Sequence, residues 1–600
     1  MAVGKKILEE ENMKKFCTYL SSLVLASTLI LPFAVSAQSS NGHQHPGHKY
    51  DKANNGMVQR IIARMSDKEK IGQLVMPSTH DNQAQMPDDR TRKLIQEYNV
   101  GSVIVYGERN AQTTAKYNNQ LQKWASETRT TLPLFISADL EYGVVQHVTD
   151  ATTFPRQMGI GATRDLAAAK EIARITAVES KATGFNWNYS PVADVNTNPA
   201  NPVIGVRSFG EKTDLVSKMT AAQTKGYQEN GVVATAKHFP GHGDTSVDSH
   251  LGLAAVNYDR KTLEEVHLPP FQAAIDAGVD SIMTAHVIIN AIDPELPATL
   301  SKPVLTGLLR EQMGFDGIIV TDAMSMHAIA ENWGAGQAGV MAINAGADIV
   351  MATGTYEEQL ETYDALYNAL QSGELTEKRV DESLKRILKA KFKYNLLNDR
   401  YDDPAKATSV VNTPEHKQFA ADVARKSITL LKNNSVLPFN SAAEQTTLVV
   451  GPKIYGSNYY INDIAKAVDE KSAGKVLSYI TANDSSDAEI SQAVALAKQA
   501  DRVIVATFSP GELPAGQAKL VKALQGTGKP VAALSLGLPY DIKNYPDVGA
   551  YLATYAVERW GSPVPTAWNA AVDVIFGAQP GGKLPVGIEG FYQFGDGLNY

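Results

Sequence analysis

From Ile71 onward, short apolar runs alternate with longer stretches in which apolar positions recur every three or four residues. The first habit is that of a strand, the second that of a helix buried along one face. The first alternation contains the runs Ile71–Pro77, Ser102–Gly107, Leu132–Leu140, Phe185–Val195, Val232–Phe239, Ser281–His286, Gly317–Asp322 and Ala347–Met351. Helical patterns lie between them, for example Asp165–Thr183, Lys212–Glu229 and Leu263–Ala277. Eight βα units in roughly 300 residues predict a (β/α)8 TIM barrel. An open doubly wound sheet is the alternative that counting leaves standing.

A charge-mixed helical segment, Glu374–Tyr394, closes this alternation, and Leu397–Thr413 carries the Asp, Asn and Pro residues of a linker. A second alternation follows, with runs Thr447–Gly451, Lys475–Ile480, Arg502–Phe508, Val531–Gly537 and Tyr551–Tyr555 and helices such as Ala488–Ala500 and Thr566–Phe576. The expected layout is a barrel domain at 57–396, a linker at 397–413 and a smaller α/β sandwich at 414–600. At 600 residues the chain is too long for one core, which fits two domains.

The N-terminus has another pattern. Lys14 and Lys15 precede an apolar run, Leu20–Val35, and Val35-Ser36-Ala37 supplies small residues for cleavage. Residues 1–37 are expected to be a signal peptide, with Met13 an alternative start. Ser27, Thr28 and Pro32 interrupt the run and argue against a retained anchor. Residues 38–56 are a polar, flexible leader in which His43, His45 and His48 fit a solvated tail better than a metal site. The one cysteine, Cys17, falls within the signal and precedes its apolar run, so the mature chain is expected to have neither disulfide nor zinc thiolate nor lipid anchor. No later segment is long and apolar enough to span a bilayer. A secreted or otherwise extracytoplasmic protein is expected, without stable membrane insertion after cleavage. The net charge of −8 argues against nucleic acid as the main partner.

Reactive residues fall where the barrel reading puts strand ends: Asp139, Asp194, Lys237 with His238, His286 and Asp322. The densest group is Lys237-His238-Phe239-Pro240-Gly241-His242-Gly243-Asp244-Thr245-Ser246-Val247-Asp248-Ser249-His250. Gly241 and Gly243 allow sharp turns. Its ionisable side chains suit either a metal site of His238, His242, Asp244 and His250, or acid–base chemistry with Asp248 orienting His250. Two residues apart in an extended segment, these two would point the same way. Spacing leaves both readings open. In Gly317–Met326 an apolar strand delivers Asp322, which could be a nucleophile, a base, a ligand or a helix cap.

The Lys237–Thr245 stretch with Asp248-Ser249-His250 resembles the signature of family 3 glycoside hydrolases of the β-N-acetylglucosaminidase kind, as does Thr321-Asp322-Ala323-Met324. Weaker similarities run along the chain, among them Asp139 with Glu141 and Gly143, Ser190–Val195, Asn201–Phe209, Met283–His286, Ala424–Asn433 and Phe594–Tyr600. The resemblance implies a retaining exo-hydrolase with Asp322 as nucleophile and Asp248 with His250 as acid/base dyad. It further implies that Asp139, Arg207, Lys237 and His238 hold the sugar, with no metal and no cofactor. The implied substrate is a glycan with terminal β-linked GlcNAc, from cell-wall fragments or chitin oligomers, and the protein is expected to act as a monomer. The pattern is broken at Tyr142, which replaces a glycine, and at His147, which replaces an arginine; Ser78-Thr79-His80 stands where relatives can place another arginine. Family 3 β-glucosidases or xylosidases, a metal-dependent barrel hydrolase and a sugar-binding protein without activity are the competing readings.

Overall fold

The computed structural model describes residues 47–80, 82–455, 457, 459–558 and 564–600. The expected signal peptide, Met13, Cys17, His43, His45 and most of the leader lie outside these residues, as does the side chain of His48. The segment expected to be a flexible leader is helical from Gly47, in a helix that runs to Ile62. Val58 and Ile62, one turn apart on one face, are buried, and the helix extends upstream from that packed turn. Among the described residues, no helix is long and apolar enough to cross a membrane.

Residues 53–600 form one compact unit. Eight parallel strands supply its first part: β1 Val75–Pro77, β2 Ser102–Ile104, β3 Phe135–Ala138, β4 Trp187–Asn188, β5 Val233–Phe239, β6 Ser281–Thr284, β7 Ile318–Val320 and β8 Val350–Ala352. Strands β2 to β7 form one continuous sheet in chain order, and β1 pairs with β8. Single bridges Ser78–Ile104 and Val320–Ile349 join that pair to the two edges of the sheet. The ring is therefore closed, as expected of a (β/α)8 barrel, and the doubly wound alternative falls. Inside the barrel, buried polar groups satisfy one another: Trp187 Nε1 donates to Thr235 Oγ1 at 2.7 Å and Tyr189 Oη to Ser137 Oγ at 2.8 Å.

The helix Glu377–Lys393 crosses the amino-terminal floor of the barrel. Lys391 Nζ donates to Gln73 Oε1 and Gly101 O, both at 2.9 Å, and Lys393 Nζ pairs with Asp280 at 2.6 Å. Asp348, fully buried just before β8, accepts from Ser383 Oγ at 2.7 Å and Ile319 N at 3.0 Å. It also pairs with Arg310, Arg379 and Arg386.

The segment expected to be a linker is not free. It contains the helix Pro404–Val410, whose Ala407 is fully buried, and it packs on the helices Ala111–Ser126 and Leu166–Ala182. The second domain holds β9 Thr429–Asn433, β10 Thr447–Pro452, β11 Val476–Thr481, β12 Arg502–Thr507, β13 Val531–Ser535 and β14 Ala550–Ala553. Their order is β9-β14-β13-β12-β10-β11, parallel except for the edge strand β9. Alternate residues of β10 face opposite helical layers. Val449 packs with Ile464 and Trp568, while Leu448 and Val450 pack with Ala497 and Leu524. This is the expected smaller α/β sandwich, with β9 as a strand that the apolar runs did not show.

Asp348 touches only the floor, so its loss is expected to weaken the fold and spare the chemistry. Burial raises its pKa, but Arg310, Arg386 and Arg379 outweigh burial and hold it below the ordinary value. Its contribution is therefore present above about pH 4 and lost as pH falls through the lowered value. Asp348→Ala should cost about 3–5 kcal/mol at neutral pH. Denaturant melts at pH 7 and pH 3 check this, with a smaller difference expected at pH 3.

Candidate active site

The carboxyl ends of the strands surround a cavity of about 410 Å³. Six of the seven residues named from the sequence line it, and the seventh, Asp248, is bonded to His250 of the lining. Asp139, which directly follows β3, and Lys237 of β5 form an ion pair of 2.5 Å. Lys237 also pairs with Glu141 at 2.8 Å. Arg207 grips Glu141 with two bonds, Nη2 to Oε1 at 2.7 Å and Nε to Oε2 at 3.1 Å. Burial alone would discharge Lys237, yet Asp139 and Glu141 raise its pKa; burial raises that of Glu141, but Arg207 and Lys237 pull it down. Together with Asp139 and Arg207 they form a compact set of donors and acceptors suited to sugar hydroxyls.

His238 Nδ1 donates to Asp194 Oδ2 at 2.8 Å, which turns Nε2 toward Arg207 at 3.5 Å. Asp194 is fully buried and also accepts the His242 backbone N–H at 2.7 Å. It orients the site without lining the cavity. His286 likewise stands behind the lining, its Nε2 donating to the Ala323 carbonyl at 3.0 Å.

Asp322 lies two residues beyond β7 and accepts from its neighbour's backbone, Ala323 N, at 2.7 Å. Burial raises its pKa, but the neighbouring imidazoles of His238, His286 and His250 and the Ala323 N–H outweigh burial and lower it to about 2. It is a carboxylate at any physiological pH.

Asp248 and His250 do meet, but not in an extended segment. A turn brings them together: Asp248 Oδ1 accepts from His250 N at 3.0 Å and from Nδ1 at 2.8 Å. With Nδ1 carrying that proton, Nε2 is the nitrogen left for chemistry. His250 lines the cavity and Asp248 is buried behind it. His242 sits inside the loop, its Nδ1 on Thr245 Oγ1 and its Nε2 on Ser249 Oγ, both 2.8 Å. Burial and the charge of His238 push it down to about 4, so it is a neutral strut.

The alternative ligand set is dispersed. His238 is committed to Asp194, His242 to Thr245 and Ser249, His250 to Asp248, and Asp244 accepts from Thr197 Oγ1 at 2.8 Å. Among the described residues no cluster of three or more His, Cys, Asp or Glu side chains could hold a metal ion. His80 and His147 lie outside the lining. His80 Nε2 contacts Gln359 Oε1 at 3.0 Å, and half-buried His147 donates from Nδ1 to the Gly107 carbonyl at 3.3 Å.

Three ionisable lining residues received no role from the sequence: Glu141, Tyr106 and Glu558. Glu141 was detectable, since it stands two residues beyond Asp139 at the same strand end. Tyr106 keeps its proton, because burial and the charges of Asp139 and Asp322 raise its pKa far out of range. Glu558 follows the carboxyl end of β14, where α/β sheets present functional groups.

Two matches span most of this architecture. Residues 67–390 match the glycosyl hydrolase family 3 N terminal domain, and residues 428–593 match the family 3 C-terminal domain. The chain belongs to glycoside hydrolase family 3 and is a glycoside hydrolase. It is 33% identical over 552 residues to a β-hexosaminidase A of Pseudoalteromonas piscicida, covering 83% of this chain and 90% of that one. It is 32% identical over 404 residues to a β-N-acetylglucosaminidase/β-glucosidase of Cellulomonas fimi, covering 65% and 69%. The solved structure of a family 3 β-N-acetylglucosaminidase from Paenibacillus sp. str. FPU-7 superposes with a TM-score of 0.78 at 34% identity, covering 87% of this chain and 99% of that one.

A Cβ on Gly243 would collide with the Val195 carbonyl, and Gly241 has a φ of +133°. Gly243→Ala should therefore push the Asp248–His250 loop off the barrel while leaving the remote core intact. A fall in kcat/KM of about tenfold or more, with Tm lowered by only a few degrees, is the expected result. Steady-state kinetics beside a thermal melt checks it.

Proposed function

We propose that the protein is a retaining exo-β-N-acetylglucosaminidase acting on terminal β-linked GlcNAc, with Asp322 as nucleophile and His250 as acid and base. One observation carries this reading: an imidazole fixed by a buried carboxylate lines the same cavity as an ionised aspartate. Retaining hydrolysis needs an attacking group on one face of the sugar and a proton donor near the leaving oxygen. Asp322 attacks the anomeric carbon, forming a glycosyl ester. His250 gives its Nε2 proton to the departing oxygen, then takes one from the incoming water. An imidazole ordinarily titrates near neutrality and suits both steps. Asp248 fixes the tautomer and steadies the imidazolium. Lys237, Arg207, Asp139 and His238 hold the sugar's hydroxyls.

The relatives named for hexosaminidase activity support the substrate, and so does the dyad in the barrel loop. The competing β-glucosidase reading has support in the double name of the Cellulomonas fimi enzyme. Aryl N-acetylglucosaminide and aryl glucoside assayed side by side decide between them; preference for the glucoside sinks the proposal. The Leu20–Val35 run also supports export from the cytoplasm, testable by fractionation and N-terminal sequencing of the mature protein.

Asp322→Ala should lower turnover by several orders of magnitude, and a 2-fluoro sugar should label Asp322 in the wild type. Labelling at another residue, or more than about a tenth of activity in the variant, removes Asp322 as nucleophile.

His250→Ala should cripple cleavage of a GlcNAc disaccharide, by roughly 10²–10⁴-fold. Formation of the glycosyl-enzyme from an activated aryl glycoside should suffer much less and appear as a burst. Asp248→Asn should do the same more mildly, and the double variant should be little worse than His250→Ala. Equal slowing of both substrates without a burst means that His250 only binds sugar.

A further inference from the structure

Tyr142 occupies a position that the family resemblance assigns to glycine. Its ring is buried and belongs to the apolar core of the second domain. The Arg156 guanidinium lies over that ring, 3.7 Å from its centroid. Arg156, itself buried, donates from Nη1 to Glu558 Oε1 at 2.7 Å. Glu558 belongs to the second domain, yet it lines the barrel's cavity. Its side chain is only 10% exposed. Among the described residues its other oxygen, Oε2, is buried without a hydrogen-bond partner. A buried acceptor in that condition is uncommon in a native fold and calls for a donor.

The surroundings of Glu558 narrow that donor's chemistry. Besides Arg156, the charges acting on it are those of Glu141, Arg207 and Lys237, whereas those acting on Asp322 are His238, His286 and His250. Glu558 therefore stands with the cluster that grips hydroxyls rather than with the reacting groups. A cation would be repelled by Lys237 and Arg207, and an anion by Asp139, Glu141 and Glu558. A neutral hydroxyl fits: its proton goes to Glu558 while its oxygen accepts from Lys237 or Arg207.

We propose that Glu558 is a substrate-contact residue from the second domain, whose Oε2 accepts a hydrogen bond from one ring hydroxyl of the terminal sugar. Arg156, stacked on Tyr142, is the positioning residue that aims it. The proposal rests on the glycosidase reading above.

Glu558→Gln has a single carbonyl, which can serve either Arg156 or the hydroxyl but not both. The test is kcat/KM for nitrophenyl β-GlcNAc and its 3-, 4- and 6-deoxy analogues, on wild type and variant, beside a thermal melt. The variant should lose about 10- to 100-fold on the parent glycoside. One deoxy analogue should cost the wild type a similar factor, and on that analogue the two proteins should agree within about threefold, because the pair is already broken. Should the Gln variant fail to fold, Glu558→Asp, which keeps a charge beside Arg156, carries the same comparison. A variant within twofold of wild type on the parent overturns the proposal. So does equal slowing on the parent and every deoxy analogue, which marks a structural role, and so does a loss confined to poor leaving groups, which marks an acid. A wild type inactive on the parent overturns the reading of the whole site, whereas an active wild type with an indifferent variant overturns only the contact by Glu558.

Discussion

Lys237 is a cation buried at the mouth of a barrel, and the top of the molecule is arranged around keeping it charged. Burial disfavours an ammonium strongly, so it is tolerable only beside opposite charge with good geometry. Asp139 and Glu141, from the loop after β3, supply that charge. Glu141 is in turn held by Arg207, from the loop after β4. Three neighbouring strand ends are thus tied by one network. Lys237 and Arg207 share Glu141 between them, so the network fixes the loops as well as the polar wall of the cavity.

The dyad loop is held by a separate set of bonds. Asp194 anchors its start through His238 and the His242 backbone, and His242 braces Thr245 and Ser249 from within. Asn201 Nδ2 adds a bond to the His242 carbonyl at 2.9 Å. The loop is thus braced at its base, while the His250 side chain it presents is 44% exposed. Under the proposed mechanism this pre-organisation matters, because a general acid must meet the leaving oxygen within hydrogen-bond reach. The division between floor and rim follows from strand direction. The same parallel sheet offers Asp348 and its arginines at one end and Asp322 with the cavity at the other, so the floor's ion pairs and the cavity's polar groups are separated by the height of the barrel.

The second domain is more than an appendage in this arrangement. Its edge meets the barrel through Lys583 N donating to Ala162 O at 2.9 Å, Arg164 Nη2 donating to Leu584 O at 2.8 Å, and Gly587 N donating to Glu211 Oε2 at 2.7 Å. Met158, Ala162 and Val206 of the barrel lie inside its apolar core. Such packing holds Glu558 at the cavity wall, and Tyr142 reaches from the barrel into the second domain to support it.

The sequence by itself determined the eight βα units, the second α/β layer and the residues at the strand ends. Each of these depends on local periodicity: alternating apolar runs mark strands, and parallel strands present their carboxyl ends on one rim. Asp322, Lys237 and Asp139 were legible for that reason, and the Asp248–His250 pair was legible from its spacing, although a turn rather than an extended segment makes the contact. Tertiary structure decided what depends on distant partners. Strand β9 is too mixed in its polarity to stand out, and it exists because it pairs antiparallel with β14 far along the chain. The 397–413 segment looked like a linker because its own residues are polar, while its helix is fixed by burying Ala407 on the barrel. The metal and dyad readings of one loop could not be separated by spacing, since the choice lies in whether Asp194, Thr245 and Ser249 claim the imidazoles. Glu558 carries no local mark at all. Its place in the site follows from the packing of two domains, which brings residues some 400 positions apart to within a hydrogen bond of each other.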